Sequence, residues 1–248
     1  MSYKDMKSFF PKRRLDPFLI RFMKNGLKFF VLSFFVISAM GEKKNPFGYC
    51  GGWRGQHVGS NRIGIGTAEL IAPSWAITAA HVAKVKAVTP EKRNVQINFG
   101  GHKAGVRKAY LAPQGDLALV RLKTPMNNWA KVALLNKPLT KKDGVIEFTL
   151  VGHSGRLHFH RNRKARGTGL NARHLTTKKD NPGKAGDSGG AWVIEREGQH
   201  VLFSVIHGGG VGTQPAALRK WIDQTMKSSG EKANWVGMPK GSKKKPKK

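Results

Sequence analysis

From residue 63 onward the chain alternates short runs of apolar, β-branched and aromatic residues with clusters of Gly, Pro, Asn and charge. Ile63 to Ile71, Trp75 to Thr78, Val95 to Phe99, Val106 to Leu111 and Leu117 to Leu122 form a first set. Val145 to Val151, Trp192 to Ile194 and Val201 to His207 form a second, with Arg196-Glu197-Gly198-Gln199 as a hairpin turn. Runs of this length and spacing predict an antiparallel barrel or sandwich. Two β-units emerge, residues 63–135 and 136–230, joined near 125–142. The period changes only towards the C-terminal end, where Leu218, Trp221, Ile222 and Thr225 repeat at helical spacing. Thr213 is the predicted cap of that helix, Pro215 suits its first turn, and Gly230 ends it. The fold class is therefore all-β with a C-terminal helix.

The flanks follow different patterns. Residues 1–41 have a basic opening, the apolar run Phe29 to Ile37, and then Ser38-Ala39-Met40-Gly41. A membrane span needs about 20 apolar residues. This shorter run has the length and flanks of a signal peptide, with small residues Ala39 and Gly41 at the cleavage site. Met23-Lys24-Asn25-Gly26 would itself begin an ordinary signal peptide, so Met23 is a candidate true start. These features predict export to a secreted or periplasmic location and no stable membrane span after cleavage; an uncleaved anchor is the alternative. Residues 42–62, rich in Gly, Asn and charge, read as an N-terminal surface segment. Residues 231–248 end in Lys243-Lys244-Lys245-Pro246-Lys247-Lys248 and read as a basic disordered tail.

Composition sharpens this picture in two respects. The formal charge is +31; removing residues 1–41 takes away eight Lys/Arg and two Asp/Glu, which leaves +25. Basicity thus belongs to the mature chain, and contact with anionic polymers through the tail and the basic stretch 156–185 is a candidate property. A charge run is equally the composition of a solubilising tail. The single cysteine, Cys50, excludes an intrachain disulfide. His158-Phe159-His160 has no third ligand at metal-binding spacing, and a solvated basic strand describes it better.

Three stretches carry chemistry. Gly186-Asp187-Ser188-Gly189-Gly190 presents a hydroxyl at a sharp turn among glycines, with backbone N–H groups able to meet an oxyanion. Upstream, Ser74 to His81 runs as a short apolar strand into two alanines and a histidine, and Gly115-Asp116 heads the apolar run to Leu122. Singly these are a turn, a structural histidine and a turn-forming Asp. Together they stand in one of the known chain orders of the nucleophilic triad: His, Asp, Ser.

Through Thr78-Ala79-Ala80-His81, Asp116-Leu117-Ala118-Leu119 and Gly186 to Gly190, the chain resembles the trypsin/chymotrypsin-like serine proteases over roughly residues 60–228, in a bacterial form. The resemblance implies two antiparallel β-barrels with the active site between them. It also implies endopeptidase action on protein or peptide substrates and no metal or organic cofactor. Ser188 is then the nucleophile, His81 the general base, and Asp116 the residue that orients it; the N–H groups of Gly186 and Ser188 form the oxyanion hole. Val151-Gly152-His153-Ser154-Gly155 resembles the family's Gly-Trp-Gly turn, with His153 read as structural. Activated members begin with a hydrophobic residue followed by Val-Gly-Gly, whose freed amine pairs with the Asp before the serine. No such sequence occurs here, so the partner of Asp187 is open.

For specificity, Ile206-His207-Gly208-Gly209 resembles the Ile-His-Trp-Gly-Gly of bacterial glutamyl endopeptidases, whose histidine contacts a substrate carboxylate. His207, Gly208 and Gly210 are therefore candidate substrate-binding residues. Asp180 is a competing candidate, as the partner of a substrate Arg or Lys. A catalytically inactive protease-fold protein that binds anionic polymers is the alternative function.

Overall fold

The structure, a computed structural model, describes residues 45–56, 63–84, 95–167, 174–176, 183–196 and 198–238. The chain divides into Met1–Asn45 and Pro46–Lys248, and all the described strands and helices lie in the second unit. The signal-peptide reading, Asp180 and the terminal lysine run fall outside the described residues.

Six antiparallel strands close a first barrel in the order β1-β2-β3-β6-β5-β4. They are β1 Cys50–Gln56, β2 Ile63–Ala72, β3 Trp75–Thr78, β4 Gln96–Phe99, β5 His102–Leu111 and β6 Ala118–Leu122. Closure leaves no unpaired strand edge, and Leu70, Trp75, Ile77, Ile97, Phe99 and Leu119 are fully buried.

The second sheet contains β7 Ala133–Leu135, β8 Val145–His153, β9 Leu157–Gly167, β10 His174–Thr176, β11 Ala191–Arg196, β12 Gln199–Gly208, β13 Val211–Thr213 and β14 Trp235–Val236. Its order is β11-β8-β9-β10-β13-β12-β7-β14, and β11 also pairs with β12. Six strands therefore return on themselves as a second barrel, while β7 and β14 extend the sheet by parallel pairing. Helix α1, Ala80–Ala83, follows β3; helix α2, Arg219–Lys227, follows a 3-10 turn at Pro215–Leu218. Ile222 and Met226, one turn apart on α2, are both completely buried, while the predicted Trp221 and Thr225 are only partly so: the buried face is rotated towards Met226.

Four parts of the sequence reading change. Within the supposed surface segment 42–62, Cys50–Gln56 is a barrel strand paired with both β2 and β4. Its glycines reflect crowding: a Cβ on Gly51 would lie 2.6 Å from Ile97 Cγ2 and 2.7 Å from Phe99 Cδ1. The basic stretch after 156 is loop only in part, because Leu157–Gly167 forms a long antiparallel ladder with β8. Its backbone is satisfied by that ladder while Arg161, Lys164 and Arg166 project outward. Thr213 does not cap the helix: it is a fully buried strand residue, and Gln214 precedes the 3-10 turn without a side-chain cap. Lastly, the start of the supposed tail packs. The Ser74 N–H donates to Glu231 Oε2 at 2.9 Å, the Trp235 indole donates to Asp223 at 2.7 Å, and the N–H groups of Leu134 and Asn136 donate to the carbonyls of Asn234 and Val236.

Glu69 is an unusual interior residue. It lies on β2 opposite Cys50 and Ile77, is completely buried, and neither carboxyl oxygen has a hydrogen-bond partner among the described residues. Burial pushes its carboxyl well above the ordinary range, against the smaller opposing influence of the Cys50 thiol and the Ala191 N–H. A carboxyl raised on folding binds its proton more tightly in the folded chain. Its stabilising contribution is fully present below the unfolded pKa, about 4.3, and is lost as pH rises towards the folded value. The wild-type unfolding free energy is expected to fall by up to about 1.4 kcal/mol per pH unit across that window relative to Glu69→Gln. Urea unfolding of both proteins from pH 4 to 8 measures this, and parallel curves would refute it.

Candidate active site

Each predicted triad residue sits where a strand ends at the meeting of the two barrels. β3 ends at Thr78, buried Ala79 and Ala80 carry the chain into α1, and His81 emerges exposed. Asp116 heads the run into β6, in a loop closed by the Ala112 N–H donating to the Leu117 carbonyl at 2.9 Å. The two side chains meet directly. His81 Nδ1 lies 2.6 Å from Asp116 Oδ2, and the His81 backbone N–H donates to Asp116 Oδ1 at 2.8 Å. Partial burial raises the Asp116 pKa, but the hydrogen bonds from the His81 side chain and backbone, with the charges of His81 and His207, carry it below the ordinary carboxylate value. An ionised Asp116 accepts the Nδ1 proton and leaves the Nε2 lone pair of His81 free to accept another.

Ser188 stands on a turn built almost entirely from backbone geometry. Gly186 and Gly189 have φ of 100° and 88°, which suits glycine. The Gly189 N–H donates to the Ile206 carbonyl, the Gly190 N–H to the Asp187 carbonyl and the Asp187 N–H to the Lys184 carbonyl, all at 2.8–3.0 Å. Neither the Gly186 nor the Ser188 N–H has an acceptor among the described residues. The turn thus leaves unpaired the two donors that the sequence singled out. The Ser188 hydroxyl donates to the His207 carbonyl at 3.1 Å and not to His81. Catalytic hydrogen bonds are often unformed without substrate.

His207 lies closer to the triad than a wall of a specificity pocket requires. Its Nε2 is 3.6 Å from Asp116 Oδ2 and its ring centroid 5.5 Å from that of His81, with its side chain half exposed. Beyond it, a Cβ on Gly208 would meet nothing within 4 Å among the described residues, whereas Gly210 is buried. His81, Asp116 and His207 together form the one cluster of metal-type donors among the described residues, with one ligand atom from each within 4.8 Å of the others. The shortest of these separations is already the 2.6 Å hydrogen bond between His81 and Asp116.

Two functional contacts were not anticipated. Thr67, fully buried on β2, donates its hydroxyl to the Gly186 carbonyl at 2.8 Å and accepts the His153 N–H at 3.0 Å. Its own N–H donates to the Ser188 carbonyl at 2.8 Å. The first barrel therefore holds the Ser188 turn directly. His158, read as part of a solvated strand, instead reaches the Asp187 carboxylate: Nε2 is 3.2 Å from Oδ2 and 3.1 Å from Oδ1. The available signal was strand alternation, which places His158 and His160 on one side of a strand and the outward-facing Phe159 and Arg161 on the other.

A comparison with protein families matches the family model described as Trypsin to residues 51–222. A comparison with curated proteins finds no match.

Proposed function

The chain belongs to the trypsin family, and from that premise we propose that it is a secreted serine endopeptidase working through His81, Asp116 and Ser188. Family membership itself makes it a protein of serine-peptidase type, with proteins or peptides as substrates. One observation carries the finer reading: Asp116 receives both the imidazole Nδ1 and the backbone N–H of His81, which orients the ring and selects the tautomer that a base requires.

In the proposed cycle the Ser188 hydroxyl leaves the His207 carbonyl and gives its proton to His81 Nε2 as Oγ attacks the scissile carbonyl. The oxyanion is met by the Gly186 and Ser188 N–H groups, which are unpaired among the described residues. His81 then passes the proton to the leaving amine, and water attacks the acyl-enzyme by the same route in reverse. Asp116 stabilises the imidazolium formed in each half. Export rests on the N-terminal sequence pattern, and among the described residues no helix is long and apolar enough to cross a membrane.

A second reading has two observations in its favour. With the Ser188 hydroxyl bonded to a carbonyl, and the cationic Arg161, Lys164 and Arg166 exposed on β9, the protein would be an inactive protease-fold binder of anionic polymers. A phosphonylating active-site reagent separates the two. Stoichiometric labelling of Ser188 is expected; an unlabelled protein retained on heparin in a salt-dependent way would establish the second reading.

Cleavage after acidic residues is proposed from His207, whose half-exposed imidazole would meet a substrate carboxylate at the cleft. A peptide-library profile is expected to show cleavage after Glu that His207→Ala abolishes. Cleavage after Arg or Lys that Asp180→Ala abolishes would overturn this preference.

A further inference from the structure

We propose that His158 is the positioning residue that holds the oxyanion donors in place, an in-chain partner for Asp187 that makes the active site independent of the chain's N-terminal amine. The proposal rests on the reading of Gly186 and Ser188 as the oxyanion hole.

Asp187 is 1 % exposed and directly precedes the nucleophile. A carboxylate at such depth is costly unless it is paired and hydrogen-bonded. It has two hydrogen-bond partners, both at Oδ2: the Lys184 N–H at 2.7 Å and the His158 Nε2 at 3.2 Å; Nε2 also lies 3.1 Å from Oδ1, which accepts no hydrogen bond among the described residues. Space has been made for this arrangement, because a Cβ on Gly152 would lie 2.5 Å from Asp187 Oδ1. The other His158 nitrogen, Nδ1, lies 3.2 Å from the Arg156 carbonyl and 3.5 Å from the Ser154 hydroxyl, which hold the ring from its far side. A carboxylate only accepts, so the hydrogen bond to Oδ2 is donated by the imidazole Nε2–H.

The consequence reaches the nucleophile through the backbone. With its side chain fixed, the N–H of Asp187 donates to Lys184 and its carbonyl accepts from Gly190. The peptides on either side are thereby oriented, and the Gly186 and Ser188 N–H groups are left without acceptors among the described residues. Without His158, the carboxylate would lose its side-chain donor and be driven towards solvent. The 184–190 turn would go with it, and the donors would leave their positions. Other charged or titratable groups near the imidazole are His160, with ring centroids 5.5 Å apart, Arg156 and Lys184 flanking the pair, and His153 on β8. His153 and His160 feel the charge of Asp187, but among the described residues only the His158 side chain hydrogen-bonds its carboxylate.

The test uses the full chain as isolated, the second-order rate of Ser188 phosphonylation, and deuterium exchange of the segment 184–190. His158→Leu is expected to slow labelling by 10²-fold or more, the scale of a lost oxyanion donor, and to raise exchange in that segment. His158→Gln keeps a donor towards Asp187 and is expected to stay within about tenfold of wild type. Extending the N-terminus by two residues is expected to change nothing. The proposal is overturned if His158→Leu matches wild type in both labelling and exchange, if His158→Gln is as impaired as His158→Leu, or if the N-terminal extension abolishes labelling. Should His158→Leu fail to fold, the Gln variant and the extension decide. A wild-type protein that does not label removes the peptidase reading alone, and exchange in the variants still tests the role of His158.

Discussion

Ser188→Ala and His81→Ala are each expected to lower kcat by about 10⁶-fold, with the fold retained. Neither side chain is a core element: His81 is exposed, and the Ser188 hydroxyl makes one bond, to the His207 carbonyl. Removing either therefore costs little stability and all of the nucleophilic route. The residual rate reflects binding and the backbone donors alone. Asp116→Asn is expected to lose about 10⁴-fold, since an amide can present its NH₂ to His81 Nδ1 and stabilise the wrong tautomer. Turnover on a peptide substrate, with circular dichroism of each variant, measures this. Wild-type cleavage by a Ser188→Ala preparation free of contaminating protease would end the mechanism.

The second large effect is expected at a residue with no side chain. Gly189 has φ of 88°, and a Cβ there would overlap the Thr67 carbonyl oxygen and Thr78 Oγ1 and approach the Ala79 backbone nitrogen at 3.2 Å. All three groups belong to the first barrel or the turn leading to His81. Gly189→Ala therefore pushes the nucleophile turn away from the barrel that carries the base. Positive-φ strain of about 1–2 kcal/mol and overpacking of about 1–3 kcal/mol both act, giving an expected loss of about 3 kcal/mol. Phosphonylation is expected to slow by more than 100-fold, because misplacement of about 1 Å has that cost. Urea unfolding and labelling kinetics read the two effects separately. A Gly189→Ala protein that labels at the wild-type rate would show that the turn is not seated on Thr67.

What the sequence alone determined was local chemistry and local periodicity. Strands β2, β3, β6, β8 and β12 were legible because each buries a run of apolar side chains at strand length, and α2 because Leu218, Trp221, Ile222 and Thr225 repeat at helical spacing. The juxtaposition of His81 and Asp116 beside the Ser188 turn was anticipated from motifs that are local in the same way: small residues precede His81 and surround Ser188. What only the tertiary structure decided depends on partners far away in sequence. Cys50–Gln56 looks like a loop because its glycines answer to Ile97 and Phe99 across the barrel, not to their own neighbours. β9 hid among its charges because the groups that make it a strand are the backbone acceptors and donors of β8. Thr67 reaches Gly186 over 119 residues, and His158 reaches Asp187 over 29. A hydroxyl or an imidazole on a strand has no fixed role until closure of the two barrels brings a carbonyl or a carboxylate to it, and burial then makes that contact obligatory.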